Sequence, residues 1–260
     1  MKRLSVTLPF VALLLAPAGA AAQADPQMDA DGARWWRHVQ AIANDGMEGR
    51  GTGTPGYDRA AEYVIGQFRA LGLKPMGVDG YKQPVAFVEQ VVQSDRSSAM
   101  LVGSQGQTPL SVPGDLIFSG SGGPVPAAID APLVFAGYGL HLPEAGHDDF
   151  AGLDLKGKIV VVLSGGPANI SGALKSHARS ERAKYLASQG AVGLISLVTP
   201  AQVEIPWKRR VDLAGAPSLY YADAALRESD RPFLNAQLDP ARSPLLFDGS
   251  GHDFAAVAAA

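Results

Sequence analysis

The sequence predicts an α+β fold, and three observations carry that reading. Apolar residues recur at helical spacing across residues 31–42 and 57–71. From about Tyr81 the period shortens to that of strands, in β-rich runs broken by Gly and Pro. Across residues 159–197 an all-apolar strand, a helix and a second apolar strand follow one another, the order of a βαβ unit.

The chain opens MKRLSVTLPFVALLLAPAGAAAQADP. Lys2 and Arg3 form a basic start, residues 4–15 a short apolar run, and Ala22 and Ala24 an Ala-x-Ala site. That is the pattern of a signal peptide over 1–24, too short to span a bilayer. No later stretch is long and apolar enough for a span, so the expected location is periplasmic or extracellular. Cleavage takes the 22 basic residues to 20 against 25 acidic ones, a net charge of −5. Nothing in that balance invites nucleic acid or an anionic membrane. With no cysteine, an exported chain relies on its core alone, and thiolate chemistry is excluded.

In the first helix Trp35, Trp36, Val39 and Ile42 share a face, and Asp31 is placed as N-cap. In the second, Thr54 caps, Pro55 occupies the first turn, and Tyr57, Ala61, Val64, Ile65, Phe68 and Leu71 line one side. Gly72 ends it, with Leu73 packing back and Pro75 blocking continuation. Strands are expected within 85–92, 99–102, 115–118 and 132–140, then at 159–163. A helix over about 177–188 leads through Gly190 to a strand in VGLISLV. The segment GSGHDFAAVAAA starts a last helix capped by Ser250 or Asp253, with His252 beside the cap. It reads as an element cut short.

Gly51-Thr52-Gly53-Thr54-Pro55-Gly56 matches the dinucleotide pattern G-x-G-x-x-G. A phosphate cradle needs a strand before the glycines and an acid at a strand end about 20 residues on. Here a helix precedes them, and Asp79 sits in the turn GVDGY. The glycines are therefore read as serving a tight loop ahead of a capped helix, held by an ion pair between Glu48 and Arg50.

Other chemistry finds little support. His147, Asp148 and Asp149 are the best local metal-type cluster, but read as a solvated loop. His177, on a helix beside Arg179 and Arg182, reads as exposed. The serine at the centre of Ser119-Gly120-Ser121-Gly122-Gly123, and Ser164, both lack the first glycine of a nucleophile elbow. Trp207-Lys208-Arg209-Arg210 is the one basic cluster, and reads as a solvated surface.

Met47-Glu48-Gly49-Arg50-Gly51-Thr52-Gly53-Thr54-Pro55-Gly56, followed by Tyr57, Ala60, Ala61, Tyr63 and Val64, resembles the N-terminal signature of secreted zinc aminopeptidases. That family holds two co-catalytic zinc ions and includes glutamate-carboxypeptidase and transferrin-receptor relatives. LVFAGYGL (133–140), HDDFAGLDLKGKIVVVLSGGP (147–167) and ERAKYLASQGAVGLISL (181–197) resemble the protease-associated (PA) domain inserted in many of its members. The resemblance implies a family-motif loop of Glu48, Gly49, Arg50, Gly51, Gly53, Thr54 and Gly56.

It also implies a domain plan. After the signal peptide, 25–95 is the helical segment of an incomplete α/β peptidase domain. Residues 96–248 are the mostly β PA insertion with its βαβ unit, and 249–260 a truncated return to the peptidase domain. In the family the zinc ligands begin with a His-x-Asp motif after the PA insertion. The five histidines, His38, His141, His147, His177 and His252, are read as standing outside such a motif. No catalytic or metal residue and no cofactor is therefore expected in this chain, two zinc ions being expected only in a full-length relative. The expected function is that of the non-catalytic half of a secreted metallo-aminopeptidase, inactive alone. The alternative is an exported PA module that binds peptides or proteins without chemistry.

Overall fold

A computed structural model describes residues 26–104, 106–120, 123, 127–199, 202–227 and 232–259. The expected signal peptide, and Ser121 and Gly122 of the glycine-serine run, lie outside these residues. The molecule has the expected mixture of helices and strands, with a sheet that contains parallel pairs. It divides into two compact units, Met1–Pro84 and Val85–Ala260.

The first unit holds α1 (Pro26–Ile42), a 3₁₀ stretch at Asp45–Arg50 and α2 (Pro55–Ala70). Helix α1 begins before the predicted start, so Asp31 lies inside it, where it pairs with Arg34 one turn on instead of capping. The oxygen of Thr54 accepts from Tyr57 N at 3.4 Å, and Pro55 opens α2. Gly72 has φ +71°, and Leu73 N reaches back to Phe68 O, the hydrogen-bonded stop expected of a glycine at that position. Of the predicted apolar face of α2 only Ile65 is fully buried. Tyr57, Val64, Phe68 and Leu71 stay exposed, and so do Trp35 and Trp36 on α1.

In the second unit, a five-stranded sheet combines β4 (Leu116–Ser119), β5 (Leu133–Phe135), β8 (Ile159–Leu163), β9 (Gly193–Leu197) and β11 (Leu234–Leu238). Their order is β4-β11-β9-β8-β5, with β4 antiparallel to β11 and every other pairing parallel. The remaining strands form three small ribbons. These are β1 (Phe87–Gln90) with β10 (Ser218–Tyr221), β2 (Ala99–Gly103) with β3 (Gly106–Leu110), and β6 (His141–Leu142) with β7 (His147–Asp148). Helix α3 (Gly172–Ser188) joins β8 to β9, and α4 (Trp207–Leu213) and α5 (Phe254–Ala259) follow.

Strand β8 is buried at all five positions and shows why a continuous apolar run suits a central parallel strand. Its side chains alternate between faces. Ile159, Val161 and Leu163 join Leu197, Leu238, Phe247 and Phe254 on one side. Val160 and Val162 meet Leu186, Ala187, Phe150 and Phe233 on the other. Helix α3 starts five residues before the expected His177, because Ser171 caps it by accepting from Leu174 N. Asp253, of the two candidates, caps α5 by accepting from Ala256 N at 3.0 Å. Phe254 then packs on Phe247.

Asp115, just before β4, accepts from Arg242 Nε at 2.7 Å and from Ser111 Oγ and N. The Arg242 bond chiefly, then the two from Ser111, hold its carboxyl at about 2, below the ordinary 3.8. A depressed carboxylate stabilises the fold above its unfolded value and loses that contribution as pH falls through the folded one. Thermal melts should therefore show the second unit losing stability between about pH 4 and pH 2. Arg242→Ala should flatten that dependence, and an unchanged profile would contradict this role for Asp115.

Candidate functional site

The glycine loop is built against its own helix rather than around a ligand. Glu48, Gly49, Arg50 and Gly53 have φ of 50°, 75°, 55° and 77°, so four backbone units lie in the left-handed region. Thr54 N and Oγ1 both donate to Gly51 O, at 3.0 and 2.7 Å, closing the turn on itself. Gly56 admits no side chain, since a Cβ there would stand 2.1 Å from Met47 O. The expected Glu48–Arg50 ion pair does not form. Glu48 instead meets Arg59 Nη2 at 2.9 Å, and Arg59 Nε donates to Gly46 O. One turn of α2 puts Arg59 above the loop, while the left-handed backbone at 48–50 turns its own side chains apart. No strand precedes the glycines among the described residues, as a nucleotide cradle would need.

The second unit holds an open groove of about 450 Å³ between the β6–β7 ribbon and α3. His141, Leu142, Glu144 and Phe150 line one side, and His177, Glu181, Arg182, Lys184 and Tyr185 the other. Tyr185 is stacked between His141 (centroids 4.3 Å apart) and Phe150 (5.2 Å). Burial, together with the nearby Asp148 charge, raises its pKa.

The cluster expected to be a solvated loop is a fastened ribbon. Asp149 Oδ2 accepts from Leu140 N, and Oδ1 lies 3.1 Å from His147 Nε2. Asp148 Oδ1 accepts from Phe150 N, and Oδ2 lies 3.3 Å from His141 Nδ1. Both imidazole nitrogens are at ion-pair distance but not aligned for a hydrogen bond. His147-Asp148-Asp149 does spell His-x-Asp, which corrects the reading that no histidine stands in such a motif. The structure turns His147 and Asp149 onto each other. With the carboxylates also committed to backbone N–H groups, these residues do not fit a two-zinc centre. Among the described residues no three such side chains are grouped to hold a metal.

Arg182, on the same helix as the exposed His177 and Arg179, is itself 7% exposed. Ala178, Arg182 and Leu186 recur at four-residue intervals along the buried stripe of α3, a spacing visible in the sequence but masked by the charge. Its Nε donates to Gly139 O at 2.9 Å, while Nη2 is buried without a hydrogen-bond partner. Burial chiefly, then the Arg179 charge, lowers its pKa to about 10, against the opposing pull of Asp149.

In the basic cluster at 207–210, Lys208 and Arg209 are exposed as expected, while Trp207 and Arg210 bond into the fold. Lys208 pairs with Asp212, Arg210 Nη1 donates to Gln237, and the Trp207 indole donates to Gly114 O. His177 is exposed at the groove, and His252 N donates to Ser250 Oγ.

No protein-family model matches the chain, and no curated protein matches it. Among solved structures it is similar to an aminopeptidase from Aneurinibacillus sp. strain AM-1, at 18% identity and a TM-score of 0.34. The match covers 83% of this chain and 44% of that one. A likeness of that size carries no argument about activity, and the chain spans less than half the length of that enzyme.

Proposed function

We propose that the chain is the non-catalytic N-terminal part of a secreted zinc aminopeptidase-like protein, exported by residues 1–24, whose PA-like region binds peptide. The observation that carries the reading is the Met47–Gly56 loop. Three distinctive residues of the resembling motif have contacts of their own there. Gly56 gives way to Met47 O, Thr54 caps α2, and Glu48 is fixed by Arg59. On this reading the loop locks a helix pair, and the hydrolytic residues are supplied from outside it. The two zinc ions of the family find no matching donor set in the groove, so no metal step is assigned to its residues.

A second reading, an exported PA module acting alone, is favoured by the core of the second unit, which packs both faces of its own sheet. Self-association separates the two. A helical unit made to pack on further structure leaves Trp35, Leu71 and, in the segment after α2, Met76 and Val78 exposed, at 64, 75, 94 and 77%. The purified chain is expected to sediment as oligomers at micromolar concentration. A monodisperse monomer would favour the free module. Peptide binding measured by calorimetry tests what both readings share, and no heat with any peptide would contradict both.

A further inference from the structure

The buried charge of Arg182 is unmatched by its surroundings. Its one described bond is to a neutral carbonyl, Gly139 O, and its Nη2 has no partner. Asp149, the acid whose charge acts on it, has both oxygens facing other groups, Leu140 N and His147. Lys184 and Glu181 answer each other across 3.5 Å. A guanidinium buried without a carboxylate is costly, and an unsatisfied buried donor in a native fold calls for a ligand, ion or water to explain it. Arg182 also lines the open groove, whose volume of about 450 Å³ suits a ligand of a few residues. Planar guanidinium donors match a carboxylate in geometry as well as charge.

We propose that this groove binds a carboxylate carried by a peptide, with Arg182 as the anchoring cation and the His141–Tyr185–Phe150 stack as a rigid wall. The proposal rests on the peptide-binding part of the function proposed above and names its chemical class. Glu144, exposed on the rim, opposes the ligand's charge and sets an electrostatic limit on its affinity.

The test is calorimetric titration of the purified chain at low salt with three peptides. These are Ala-Ala-Phe with a free carboxylate, its C-terminal amide, and the amide of Ala-Glu-Phe. The free acid should bind at least tenfold more tightly than its amide, and Arg182→Gln should erase that ratio. Glu144→Gln, a surface change that leaves the fold alone, should tighten the acid about threefold. If Ala-Glu-Phe amide equals the free acid, the proposal stands and a side-chain carboxylate serves as well as a terminal one. If it matches the plain amide, the source is the peptide C-terminus. Should Arg182→Gln fail to fold, NMR of the wild-type chain decides. The acid must shift the amides of Gly139, Leu142 and Ala178, and shifts confined to other regions overturn the proposal. Equal binding of acid and amides overturns it while leaving peptide binding intact, and no binding at all overturns both.

Discussion

Gly56→Ala is expected to cost the first unit about 3 kcal/mol, at the upper end of what overpacking does. The added methyl would stand 2.1 Å from Met47 O and 3.0 Å from its carbonyl carbon. Those atoms belong to a backbone already turned through left-handed conformations at 48–50, so they cannot step aside without breaking the Thr54 cap. A unit of this size holds only a few kcal/mol in reserve. Hydrogen exchange along α2 should therefore collapse in the variant while the second unit keeps its protection. Gly66→Ala is the control. It lies in the same helix with nothing within 4 Å of its Cβ position, and should gain roughly 0.5–1 kcal/mol from helix propensity. Equal effects of the two substitutions would contradict the close-packing role of Gly56.

Leu186→Ala should destabilise the second unit by about 2–5 kcal/mol, through lost burial and the cavity left behind. Leu186 is fully buried between α3 and the sheet, in one cluster with Val160, Val162 and Phe150. Because Arg182 lies one turn earlier on the same stripe, the groove should loosen with the core. Denaturant melts followed by circular dichroism would show it, and a shift under about 1 kcal/mol would place the helix outside the core.

The sequence made the fold legible where one local force dominates. Five consecutive apolar residues at 159–163 could be only a buried segment, and Gly190 with VGLISLV marked the next strand. Thr54, Pro55 and Gly72 are punctuation with a mechanism, and α2 ends within a residue or so of where they put it. What stayed hidden depends on partners distant in sequence. Strand Gly106–Leu110 carries little apolar alternation and forms by pairing with Ala99–Gly103, while Leu234–Leu238 does alternate but is too short to stand out from the turns before it. Ribbon β6–β7 is two residues per strand, with one His141–Asp148 pair across it that no periodicity announces. Glu48 finds Arg59 rather than Arg50 because left-handed backbone redirects a side chain, and Arg182 is drawn inward by the carbonyl of Gly139, 43 residues away.

On the proposed function, this chain supplies scaffold and binding, and its hydrolytic chemistry comes from elsewhere. Its most direct test is to incubate the purified chain with zinc, pass it through gel filtration, and measure bound metal alongside hydrolysis of an aminoacyl anilide with and without chelator. The account predicts no stoichiometric zinc and no chelator-sensitive hydrolysis. Two zinc ions retained per chain, with hydrolysis lost to the chelator, would contradict it.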